Sequence, residues 1–197
     1  MTALAYTRAG AGAPLVLLHG IGSSRHAWEP VIPALRGQFD VIAVDLPGFG
    51  DSGPLPPEVE PRPAALAAAV AGLLGDLGIT APHITPGYAR TAIWALGACP
   101  GFGATMKATM RPYRSGPPIG APVRVAFGSR DLVLLRHQSR HLDELPPGTR
   151  RETLPRCGHV PMADDPAAVA AFIAAASARG LPDEGARGRL VPGTRAR

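Results

Sequence analysis

The sequence predicts an α/β protein, a mostly parallel sheet flanked by helices. Two continuous apolar runs, "PLVLLHG" at 14–20 and "FDVIAVDLPG" at 39–48, have the uninterrupted pattern of strands buried on both faces. Segments with helical spacing alternate with such runs in both halves of the chain, and this alternation builds parallel sheets covered by helices. The runs end in glycine and polar residues, and ligands of open α/β sheets sit beyond the carboxyl ends of the strands.

Taken in order, "LAYTR" at 4–8 reads as an edge strand and 14–20 as the first buried strand. "AWEPVIPALRG" at 27–37 places Trp28, Val31 and Leu35 on one helical face. The second buried strand, 39–48, leads into a Pro/Gly loop. "PAALAAAVAGLLGDLG" at 63–78 predicts a helix, with Pro63 in its first turn and Gly78 as its stop. From Val123 the alternation resumes: a strand at 123–131, a polar-faced helix at 137–145, a short strand at 150–155 and a closing helix at 165–179.

Composition narrows the class. The chain has 197 residues, 46% of them hydrophobic, enough for one domain with its own core. The net charge of +5 is concentrated at one end. Residues 179–197 hold five arginines against Asp183 and Glu184, lack apolar periodicity and read as a disordered basic tail. Without interleaved aromatics this tail predicts no nucleic-acid partner. Two cysteines, Cys99 and Cys157, do not make a disulfide framework. The longest apolar runs fall short of the roughly 20 residues a membrane span requires. No charged segment precedes an apolar stretch at the N-terminus. A soluble, cytoplasmic protein with no membrane contact is expected.

Four segments carry chemistry. "HGIGSSRHAW" at 19–28 follows the first buried strand and "VDLPGFGDS" at 44–52 closes the second. "GSRD" at 128–131 ends a later strand, and "CGHVPMADDP" at 157–166 precedes the last helix. In this order they resemble the α/β-hydrolase superfamily, over roughly the first 83 and the last 75 residues. The resemblance implies an α/β-hydrolase-like fold and a small-molecule substrate such as an ester or lactone. It also implies roles. Asp131 would be the acid that orients His159, and His159 the general base. The backbone after His19, at Gly20 and Ile21, would face a developing oxyanion. Asp45 and Ser52 are expected to structure their loop. No cofactor is implied.

The departure lies in the middle. The family carries G-x-S-x-G on a strand-to-helix elbow, whereas here "GITAPHITPGYARTAIWAL" at 78–96 has no serine, and none follows it before Ser115. Only the 39 residues from Ile84 to Pro122 separate the matching parts. A β-α-β unit alone takes about 30 residues, so elbow, core and cap do not all fit. The expected organisation is a single, internally truncated domain over 1–178, with 84–122 a residual cap-like helical segment. Exposed strand edges at the gap would favour self-association.

Cys99 is a weak candidate for a substitute nucleophile, and two other constellations, one for metal and one for a dinucleotide, are weaker still. Gly97-Ala98-Cys99-Pro100-Gly101 fits G-x-C-x-G, but Pro100 has no N–H to serve as the second oxyanion donor, and it holds Cys99 extended. His137 and His141 share a helical face, yet "HQSRH" lacks the glutamate of H-E-x-x-H, so no metal site is expected. "GFGDSG" at 48–53 spaces its glycines as G-x-G-x-x-G but runs into Pro54-Leu55-Pro56-Pro57 instead of a helix, so it is not a dinucleotide site. Two functional outcomes remain: a hydrolase working by an unusual or residual mechanism, or a non-catalytic remnant produced by an internal deletion.

Overall fold

A computed structural model describes residues 3–80, 82–86, 101–109, 121–133 and 146–177. The first sheet has four strands in the order β1-β3-β2-β4, formed by β1 (Tyr6–Ala9), β2 (Ala13–Leu18), β3 (Phe39–Val44) and β4 (His83–Pro86). β1 lies antiparallel on the edge, while β2, β3 and β4 are parallel. The second sheet is the parallel pair β5 (Arg124–Gly128) and β6 (Arg150–Leu154). The mostly parallel α/β architecture is therefore present.

β2 is buried on both faces, as its unbroken apolar run requires. Leu15 and Leu17 join one core cluster and Val16 the other, all three fully buried. On the Val16 side, Ile42 and Val44 of β3 meet Val70 and Leu74 of α2 (Pro63–Asp76). On the Leu15 side, the core joins the two halves of the chain. Trp28, Val31 and Leu35 pack there with Leu154, Val160, Met162, Val169 and Ile173. The last three belong to α4 (Pro161–Asp164) and α5 (Pro166–Ser177). Asp165 starts α5: its carboxylate accepts the Ala168 N–H at 2.9 Å, and Pro166 follows where a missing N–H costs nothing.

Two elements differ from expectation. The helix over 27–37 is broken into a 3-10 turn, Arg25–Trp28, and a single-turn α1, Ile32–Leu35. Pro30 and Pro33 supply no backbone donors, so a continuous ladder cannot form. The predicted inward face survives, because Trp28, Val31 and Leu35 are all buried. The second difference is β4, which extends to Pro86 and occupies the first residues of the segment expected to be helical. It pairs with β2 from Leu15↔His83 to Leu18↔Pro86, so β2 keeps a neighbour on that side. Ile84 is nevertheless 54% exposed. Val16, its register partner, packs with Val70 and Leu74 of α2, whereas Ile84 is not part of that core cluster among the described residues.

α3 (Phe102–Thr109) is the described part of the cap-like segment. It begins against the loop after β3, where the Gly101 N–H donates to the Gly48 carbonyl at 3.1 Å. A Cβ on Gly48 would come within 2.8 Å of the Gly101 Cα, so both positions require glycine for this approach. The residues of "TAIWAL", Cys99, His137, His141 and the 179–197 tail lie outside the described residues. Among the described residues, no helix is long and apolar enough to cross a membrane.

Candidate active site

Asp131 and His159, 28 positions apart, come together where the loops after β5 and β6 meet. The His159 Nδ1 lies 3.0 Å from one carboxylate oxygen of Asp131 and 3.2 Å from the other. The Asp131 side chain is 7% exposed and that of His159 18%. A carboxylate so placed fixes the ring's orientation and favours the tautomer with its proton on Nδ1, leaving Nε2 as the basic nitrogen. The acid is itself held, since its Oδ1 accepts the Val133 N–H at 2.8 Å.

Backbone bonds zip the two loops together. Ser129 N–H donates to Leu154 O at 3.0 Å, and Arg130 N–H to Cys157 O at 2.8 Å. The Ser129 hydroxyl oxygen accepts the Arg156 N–H at 2.8 Å. Arg156 turns the chain out of β6 with a left-handed φ of 61°, a conformation that costs a non-glycine residue about 1–3 kcal/mol. The Gly158 N–H is held by the Asp164 carboxylate at 2.7 Å. Gly128 makes the approach sterically feasible, because a Cβ there would sit 2.2 Å from Gly158 O and 2.4 Å from Cys157 O. Cys157 is fully buried, and burial pushes its thiol pKa up, so it carries no reactive thiolate.

Gly20 and Ile21 form the first half of a tight turn after β2. The Ser23 N–H closes it onto Gly20 O at 3.2 Å, and Gly22 has a φ of 79°, the sign a type II turn requires at its third position. No hydrogen bond to the Ile21 N–H forms among the described residues. His19 anchors the turn on its other side, bonded to Gly20 O and to the Leu46 N–H.

Asp45, at the end of β3, is fully buried. Its carboxylate accepts the Arg25 N–H at 2.6 Å and the Asp51 N–H at 2.9 Å, and it pairs with the Arg25 guanidinium. Arg25 reaches on to Asp51 at 2.7 Å. The Ser52 hydroxyl donates to Asp45 O and accepts the Ala5 N–H, each at 2.8 Å. Asp45 and Ser52 thus structure their loop, as expected. The parts played by His19, Arg25 and Gly128 had no signal in the sequence beyond their place inside the matching segments. Among the described residues, no cluster of histidine, cysteine or carboxylate side chains could hold a metal ion. A cleft of about 380 Å³ between the 47–61 loop and α3 is lined by Pro47, Leu55 and Thr105 among others, but by neither Asp131 nor His159.

Residues 13–85 match the family model for the alpha/beta hydrolase fold. The pimeloyl-[acyl-carrier protein] methyl ester esterase of Edwardsiella ictaluri is 33% identical over 152 residues, 73% of this chain and 52% of that one. The soluble epoxide hydrolase of Corynebacterium sp. strain C12 is 62% identical over 47 residues, 24% of this chain and 16% of that one. In structure, a thermophilic esterase from Thermogutta terrifontis superimposes with a TM-score of 0.75 at 19% identity, covering 90% of this chain and 94% of the esterase. The enol-lactonase from Burkholderia xenovorans LB400 gives a TM-score of 0.72 at 18% identity, covering 90% and 97%. At such identities the structural likeness speaks for the fold alone. The chain belongs to the α/β-hydrolase superfamily. It spans about half the length, or less, of these curated relatives.

Proposed function

We propose that this chain is a hydrolase scaffold that keeps the acid–histidine pair and the oxyanion turn of its superfamily but has no serine nucleophile. Its activity is slow hydrolysis of a small ester, lactone or similar carbonyl substrate by water. The observation that carries this reading is the contact of His159 Nδ1 with the buried Asp131 carboxylate at 3.0 Å. In the reaction, His159 Nε2 takes a proton from water as the water oxygen bonds to the carbonyl carbon. The carbonyl electron pair moves onto oxygen, towards the Ile21 N–H. Collapse of the tetrahedral species expels the alcohol, which takes the proton back from His159. A positioned base contributes about 10²–10⁴-fold in rate, whereas one missing oxyanion donor costs about 3–4 kcal/mol of barrier. The balance is a slow enzyme.

The second reading is a non-catalytic remnant, favoured by the lack of any G-x-S-x-G in the sequence. Hydrolysis of p-nitrophenyl butyrate and of a small lactone separates the two. His159→Ala should slow a wild-type reaction by about 10²-fold or more, the share of a positioned general base, with Asp131→Asn falling between. Equal rates for wild type and His159→Ala would leave the remnant reading standing.

A further inference from the structure

We propose that His19 is a positioning residue for the Gly20–Ile21 turn, and that it ties the turn to the loop after β3 only as a neutral imidazole. This deepens the oxyanion reading of that turn and rests on it.

The ring is 3% exposed and makes two hydrogen bonds of opposite sense. The Leu46 N–H points at Nε2 at 2.9 Å, and a backbone N–H only donates, so Nε2 must be the acceptor. Nδ1 lies 2.8 Å from Gly20 O, which only accepts, so Nδ1 must carry the proton. One tautomer satisfies both, and the imidazolium cannot. His19 thereby joins the turn after β2 to the loop after β3, and the edge of its ring meets Phe49 of that loop at 5.5 Å between centroids.

Among the described residues, the charged groups around the ring do not supply a competing partner. Asp45 favours the protonated ring, but its carboxylate is committed to Arg25 and the Asp51 N–H. Asp51 lies beyond it, on the other fork of Arg25. Burial outweighs the pull of Asp45 and of the Gly20 carbonyl and lowers the His19 pKa. Because the folded value is depressed, the stability that His19 contributes is present above the unfolded value of about 6.5 and is lost as pH falls towards the folded one. Protonation puts a hydrogen on Nε2, expels the Leu46 N–H and breaks the tie between the turn and the loop after β3, while the bond from Nδ1 to Gly20 O persists.

Amide NMR of the wild-type protein from pH 7.5 downwards tests this without turnover, so inactivity towards esters does not affect it. The Ile21 and Leu46 amide resonances should titrate with the midpoint of the His19 ring, below about 6.5. Exchange of the Leu46 N–H, corrected for its intrinsic pH dependence, should rise about tenfold or more across that midpoint. His19→Gln keeps an acceptor near the Nε2 position and cannot titrate, so its Ile21 and Leu46 amides should stop responding to pH. The proposal is overturned if the wild-type amides titrate with a different midpoint or not at all, or if the response persists in His19→Gln. Should the variant fail to fold, the wild-type midpoints alone decide.

Discussion

Gly128→Val should unfold at least ~3 kcal/mol more easily than wild type, the upper range for overpacking a close-packed site. Gly128 ends β5 opposite Leu154, and the atoms that a Cβ would strike are the carbonyl oxygens of Cys157 and Gly158. Both belong to backbone tied down by neighbouring hydrogen bonds, so neither can swing aside like the tip of a side chain. The same displacement pushes the His159 loop away from Asp131. Denaturant unfolding with an unchanged m-value gives the stability loss, and the His159 Nδ1 proton resonance reports the broken pair. A variant as stable as wild type would mean that the two loops are not zipped as described.

Asp45→Ala should lose about 3–5 kcal/mol, the cost of removing one member of a buried ion pair. Its carboxylate is fully buried and satisfies the Arg25 N–H, the Arg25 guanidinium and the Asp51 N–H together. The Arg25 side chain is 14% exposed and, among the described residues, would keep only the exposed Asp51 as a charge partner. Gly50 packs against the same carboxylate, so truncation also leaves a void beneath the loop. Thermal unfolding measures the loss directly. An Arg25→Ala/Asp45→Ala double variant should be less destabilised than the sum of the two, because each single change strands the other's partner.

These effects mark what the sequence could and could not convey. β2 and β3 were readable because strands buried on both faces need unbroken apolar runs, and "PLVLL" and "FDVIAV" can satisfy little else. The pairing of Asp131 with His159 was readable as an expectation because each stands in a matching loop at the end of a strand. The zip between those loops was not readable. It rests on backbone bonds of Ser129 and Arg130 and on the missing Cβ of Gly128, and no side-chain pattern records them. The division of 27–37 into two short turns could have been foreseen from Pro30 and Pro33, but the apolar spacing of Trp28, Val31 and Leu35 fits both arrangements. β4 escaped for a different reason. Four residues that include a proline carry no period of their own, and they form a strand because β2 offers them an edge.

An acid–histidine pair with no serine nucleophile beside it should not react with serine-directed reagents. Intact-mass spectrometry after incubation with a fluorophosphonate probe tests this most directly, because the reagent forms a stable phosphonyl adduct with an activated serine. An unchanged mass is expected for the folded protein, since the 78–96 segment contains no serine and Ser23, Ser24 and Ser52 stand on the loops after β2 and β3, not on an elbow after β4. A stoichiometric adduct that peptide mapping assigns to any serine, and that His159→Ala abolishes, would contradict it.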